Sequence, residues 1–162
     1  MIRSSFRFLL YLIAALGISF SAAGSYDDFF VAVIRDDVGS LRRLLVQGVD
    51  PNSRDPDGMP ALALSIRRES PRVFQVLLAH PGIDLDAKNA AGETALMLTA
   101  IAGDVEASRQ LLARGAQAQQ PGWAPIHYAA SGPSTELVQL LLDRGAVVDA
   151  ESPNGTTALM LA

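Results

Sequence analysis

Between residues 92 and 116, apolar and polar positions recur at helical spacing, twice in succession. Thr94 to Ala102 begins with a hydroxyl residue suited to an N-cap and sets Ala95, Leu96, Leu98 and Ala100 along a short apolar stretch. Val105 to Arg114 carries Val105, Leu111 and Leu112 on one side and Glu106, Arg109, Gln110 and Arg114 on the other. Gly103-Asp104 breaks between the two, and Gly115 stands where a helix closes in a left-handed C-cap. Each predicted helix has about 9 or 10 residues, below the length that is stable alone in water. Such a hairpin has to bury its faces against a neighbour.

The neighbours are copies of it. Turn glycines recur at Gly58, Gly92, Gly122 and Gly155, at spacings of 34, 30 and 33 residues. Second helices recur as VFQVLLAHPG (73–82), ASRQLLARG (107–115) and LVQLLLDRG (137–145), and LRRLLVQG (41–48) is the same piece upstream. Three of the closing glycines open phrases of one length: GVDPNSRDPDG, GIDLDAKNAAG and GAVVDAESPNG. A period near 33, two helices and a turn-rich finger, marks a stacked array. On these residues the sequence resembles the ankyrin-repeat family over residues 25–162. The resemblance implies an all-α solenoid of helix-turn-helix units with turn or hairpin fingers. Its units are a cap over 25–54, repeats over 55–88, 89–120 and 121–151, and a partial repeat over 152–162.

The copies are uneven. Asp36-Asp37 takes the place of the Gly-Asp break in the first unit, and Arg67-Arg68-Glu69 stands there in the second. From Gly115 to Gly122 is 7 residues against 10 in the other fingers, and the usual Asp/Asn is missing, so this finger is expected to be shortened or differently shaped. His127 falls where the family motif Thr-Pro-Leu-His has its histidine, which in the family hydrogen-bonds across the turn to the motif Thr. Here the partner position is Ala124, while Thr94 and Thr157 face Met97 and Met160, so that bond is expected to be missing throughout. The fifth unit, Gly155 to Ala162, stops inside its first helix, and array ends normally carry a polar cap. The sequence therefore reads as a truncated product or a fragment, with Leu159 and Leu161 exposed. Asn154-Gly155-Thr156 matches a glycosylation acceptor, though Asn-Gly at a finger tip is ordinary turn chemistry.

Residues 1–24 stand apart. Arg3 and Arg7 precede an apolar run from Phe8 to Phe20 and the small residues Ser21-Ala22-Ala23-Gly24, the layout of a secretory signal peptide cleaved after Ala23 or Gly24. The apolar run is 13 residues, short of the roughly 18 or more expected of a spanning helix. Export to the periplasm or outside the cell is the expectation, with an uncleaved membrane anchor as the rival. Removal of the two leader arginines leaves 11 basic and 17 acidic residues, a net charge of −6, which argues against a nucleic-acid partner. The absence of Cys excludes disulfides, thiolate metal sites and a cysteine nucleophile. Twelve Arg against one Lys hints faintly at GC-rich bacterial coding.

No phosphate loop, dinucleotide fingerprint, Gly-x-Ser-x-Gly elbow or His-Glu-x-x-His is present, so no cofactor, metal or catalytic residue is expected. What remains is a surface, and the expectation is a non-enzymatic module that binds a protein. The resemblance implies partner binding at finger tips and along the inner helices. It puts Pro56, Asp57 and Met59 at one tip, Ala90, Ala91 and Glu93 on the next, and Trp123 on the shortened one. Exposed inner-helix ends would be Arg67-Arg68, Ile101-Ala102 and Ser131-Gly132, with Gly58, Gly92, Gly122, Gly155 and His127 structural. Trp123 either projects as a partner anchor or folds back onto Tyr128 or Pro121, and Arg67 and Arg68 are placed to pair with acidic groups of a partner.

Overall fold

The structure, a computed structural model, describes residues 24–162. Except for Gly24, the leader segment lies outside the described residues. A first helix, α1, is described over 24–34. After it come α2 (Val38–Val46), α3 (Ala61–Arg67), α4 (Pro71–Ala79), α5 (Ala95–Ala102), α6 (Val105–Ala113), α7 (Pro125–Ser131), α8 (Thr135–Asp143) and α9 (Ala158–Leu161). Among the described residues there is no strand, only a single antiparallel bridge between Arg54 and Pro60. The architecture is an all-α solenoid in two layers. Inner helices α3, α5, α7 and α9 pack in sequence, and outer helices pack as α2 on α4 and α6 on α8.

Inner and outer helices differ because their faces do. Six of the eight residues of α5, Ala95 to Ala100, are buried, since helices lie on three sides of it. By contrast α8 buries only Leu137, Leu140 and Leu141 and turns Gln139 and Asp143 to solvent. One core runs from Phe29 to Ala158, and Leu44, Leu77, Leu111 and Leu141 each repeat the same buried station in successive outer helices. Each such leucine contributes about 1.5–3 kcal/mol relative to exposure.

Helix starts are capped one by one. Asp37, Asp104 and Ser134 accept from the N–H groups of Ser40, Ala107 and Leu137 at 3.1, 2.9 and 3.3 Å. The start of α4 departs from this pattern. Ser70 makes no cap bond; the N–H of Val73 instead donates to Asp36 Oδ1 of the preceding repeat at 2.7 Å. Arg72 completes the junction, with Nε 3.0 Å from Asp36 Oδ2 and Nη2 2.8 Å from the Asp36 carbonyl. Asp36 reaches this position because it sits at φ 53°, the left-handed conformation that Gly103 adopts at φ 74°. Glu69 takes the same place in its repeat at φ 52°. A side chain there costs about 1–2 kcal/mol, which the cross-repeat cap offsets for Asp36.

Side chains also tie the fingers together. Asn52, four residues after Gly48, donates to the Gly82 carbonyl and accepts from the Asp84 N–H, both at 2.8 Å. Asp86, four after Gly82, accepts from the Gln117 N–H at 3.0 Å. Gln119, four after Gly115, accepts from the Val147 N–H at 3.2 Å. The fourth finger is irregular, as its length implies, yet it has not lost this polar function: the longer Gln119 side chain spans the gap an Asn or Asp bridges elsewhere. Gln120 then bonds the Trp123 carbonyl. The regular fingers turn on Asp55, Asn89 and Ser152, whose side chains accept from Met59, Glu93 and Thr156 N–H groups. Gly58, Gly92, Gly122 and Gly155 hold φ between 76° and 81°.

One sequence expectation is completed by the structure and one needs correction. His127 is fully buried, and its ring is satisfied without a threonine: Nδ1 accepts from the Ala124 N–H at 3.0 Å and Nε2 lies 2.9 Å from the Ala150 carbonyl of the next finger. Backbone groups supply what the missing hydroxyl does not. At the far end Leu159 and Met160 are 80% and 72% exposed, whereas Leu161 is half-buried, because a helix places successive residues on different faces.

The stack is not evenly tight. At Gly132 the backbone has φ −90°, open to any residue, but a Cβ there would lie 2.7 Å from the Ala100 carbonyl oxygen. Pro133 presses likewise on Gly103. α5 thus packs more extensively on α7 than on α3, where Ala102 stands in the register of Gly132 and carries a methyl group.

Gly132→Ala is expected to destabilise by about 1–3 kcal/mol through this clash alone, lowering the melting temperature by roughly 2–8 °C per kcal/mol. An unchanged midpoint would show that α5 and α7 can separate freely. A second expectation follows from Asp36. Burial raises its pKa, but hydrogen bonds from Val73 and Arg72 and the Arg72 charge together outweigh this and hold it below the usual 3.8. A depressed folded-state pKa gives stability that is present at neutral pH and lost as pH falls through it. Thermal melts of the native chain and Asp36→Asn should therefore differ at pH 7 and converge toward about pH 2. A gap that stays constant with pH would contradict the charged cap.

Candidate functional site

The repeat register places the candidate residues in columns along the inner, concave face. Arg67, Ile101 and Ser131 share one position of α3, α5 and α7, and Arg68, Ala102 and Gly132 the next. Arg67, Arg68, Ile101, Ala102 and Ser131 are exposed, with Ile101 at 40%. Pro56, Asp57, Ala90 and Ala91 are exposed on their fingers. Met59 does not belong with them. It is 6% exposed, its N–H tied to Asp55 and its sulfur 3.9 Å from Asn89 Nδ2, because the next finger folds over it.

Met59, Glu93 and Trp123 occupy one register, and each is held differently. The Glu93 carboxylate accepts from Asn89 Nδ2 at 2.7 Å and acts electrostatically on Tyr128 of the next inner helix. Burial, then the Glu93 charge, raise the Tyr128 pKa above its usual 10.0, so the phenol stays protonated. Trp123 lies edge-on to His127 and Tyr128, with ring centroids 5.4 and 6.4 Å away. It is folded back onto Tyr128 while keeping 38% of its surface exposed.

Of the candidate residues, the structure brings Arg67, Glu93 and Ile101 to a single place. They line an open cleft of about 900 Å³ at the junction of two repeats, with α3 and α4 on one side and α5 and α6 on the other. Its volume falls in the range of roughly 300–1,000 Å³ found for ligand-sized sites. Pro56, Asp57, Trp123 and Ser131 are not in it. The apolar lining comes from Ile66, Phe74, Leu98, Ile101 and Ala107, and the charged lining from Arg67 against Glu69, Glu93, Asp104 and Glu106. Ser70 also lines it, 1% exposed, with a buried Oγ that has no hydrogen-bond partner because Asp36 has taken the cap it would have made. Sequence reasoning missed Ser70, Phe74 and Glu69. The one signal available was Glu69-Ser70 standing where the next repeat has Gly103-Asp104.

Among the described residues no group of three or more His, Asp or Glu side chains is placed to hold a metal ion, and no helix is long and apolar enough to cross a membrane. The ring contacts of Trp123 carry a direct test. Trp123→Ala is expected to lower the unfolding midpoint with no partner present, by less than the roughly 3–5 kcal/mol of a fully buried Trp. An unchanged midpoint would make those contacts energetically empty.

Comparison with known proteins accords with this geometry. The sequence model of the family described as ankyrin repeats (3 copies) matches residues 29–121 and again residues 100–162. The chain is 35% identical over 136 residues to the B-cell lymphoma 3 protein homolog of Mus musculus, covering 80% of this chain and 30% of that protein. It is 32% identical over 117 residues to the transient receptor potential cation channel subfamily A member 1 of Homo sapiens, covering 70% and 10%. Over 75 residues it is 45% identical to the neurogenic locus notch homolog protein 4 of Homo sapiens, covering 44% and 4%. The chain thus spans less than a third of the length of each of these relatives. With the register, the two helix layers and the matched residues in agreement, the chain belongs to the ankyrin-repeat family.

Proposed function

We propose that this chain is an exported, non-enzymatic protein-interaction module, acting in the periplasm or outside the cell, that binds its partner on the concave face and finger tips. Ankyrin repeats generally mediate protein–protein interaction. The observation that carries the reading is the cleft at the junction of the α3–α4 and α5–α6 hairpins, where Arg67, Glu93 and Ile101 converge on an apolar surface. An interface needs a desolvated apolar centre with a polar rim, and this is the place on the inner face that offers both. Support for export is the basic, apolar and small-residue order of residues 1–24. A second reading, a regulatory or targeting arm of a longer protein, is favoured by one fact: the match covers only 30% and 10% of the length of two of its relatives.

Two measurements test the proposal. N-terminal sequencing of the exported protein should begin at Gly24 or Ser25; an intact Met1 in a membrane pellet would overturn the export half. For the binding half, Ile101→Asp should abolish partner capture from the same fraction. Val46→Asp, at a residue 89% exposed on outer helix α2, should leave capture intact. Equal capture by both variants would remove the concave face from the account.

A further inference from the structure

The cleft also says what kind of partner it takes. Its lining sets four carboxylates, of Glu69, Glu93, Asp104 and Glu106, against the single guanidinium of Arg67, so its electrostatic preference is for a cation. The expectation that Arg67 pairs with acidic groups of a partner is outweighed by its own surroundings. Glu69 adds a specific feature: held at φ 52° at the end of α3, it has no side-chain hydrogen bond or ion pair among the described residues. Beneath the charged rim the walls are apolar, with Phe74 and Leu98 almost fully buried and Ile101 40% exposed. The buried Ser70 Oγ is an acceptor with no bond to give up.

We infer that the cleft at the junction of the α3–α4 and α5–α6 hairpins receives an extended segment of a protein partner carrying an arginine beside a large apolar side chain. This rests on the protein-binding reading above. A guanidinium presents forked donors that satisfy more than one acceptor at once, which suits separate carboxylates better than a compact ammonium does. Its aliphatic stem lies along the same apolar wall as the neighbouring side chain. The occupant is a peptide rather than a small cation because an acidic rim over apolar walls gives a bare cation nothing to bury, whereas a peptide presents a charged and an apolar side chain together. Asp36 leaves Ser70 uncommitted at this junction.

The test uses the isotopically labelled full chain and three five-residue probe peptides, alternating leucine with arginine, serine with arginine, and leucine with glutamate. Amide shifts in nuclear magnetic resonance report where and how tightly each binds. The leucine–arginine peptide should shift residues 66–75 and 98–107 and bind about tenfold more tightly than the serine–arginine peptide. The leucine–glutamate peptide should shift none of these residues. The double variant Glu69→Gln, Glu106→Gln should weaken binding by about threefold or more at low salt, with the difference shrinking as salt is added. Equal binding of the two arginine peptides would reduce the effect to the overall negative charge and overturn the proposal, as would shifts centred elsewhere or an unchanged double variant. If the peptides ignore the cleft while Ile101→Asp still abolishes partner capture, the general protein-binding reading stands and this one falls.

Discussion

The α-helices named here from α2 to α9 have at most 9 residues, and α9 has 4. A helix that short does not repay its nucleation in water, so every element depends on burial against the next repeat. The core answers this with leucines at one station of each outer helix and with inner helices buried nearly all round. The finger backbone cannot be stabilised by a sheet, because the described residues form none. Its exposed N–H groups are met by Asn52, Asp86 and Gln119 reaching across from the preceding repeat. Each bond contributes about 0.5–1.5 kcal/mol, and each also fixes the register between neighbours.

Function follows from how neighbouring repeats meet. Gly132 and the Pro133–Gly103 contact draw α7 tightly onto α5. At the α3–α5 junction no glycine occupies the corresponding place, Glu69 replaces the C-terminal glycine, and Asp36 caps α4 from outside. At this junction lies a cleft with apolar walls, an acidic rim and one uncommitted hydroxyl. The same departures from the repeat that look like defects in the sequence therefore adjoin a stretch where the candidate residues Arg67, Glu93 and Ile101 meet.

The fold was legible because it is periodic. Thr94 and Asp104 start helices and Gly103 and Gly115 end them where the sequence puts those signals, and the copies repeat them. What stayed hidden depends on side chains from one repeat acting in another. No local rule announces that Asp36 caps α4, that Gln119 substitutes for an Asn, or that the backbone of Ala124 and Ala150 satisfies His127. Met59 was misplaced for a related reason. Its register suggests a tip residue, but the next finger covers it, whereas the equivalent Trp123 is left partly open by a finger three residues shorter.

The central claim, that partner recognition is seated at the α3–α5 junction of the concave face, is tested most directly by hydrogen–deuterium exchange of the chain with its captured partner. The expected result is added protection over residues 66–75 and 98–107, with the outer helices α2 and α8 unchanged. Protection confined to α2 and α8, with residues 66–75 and 98–107 exchanging as in the free protein, would contradict it.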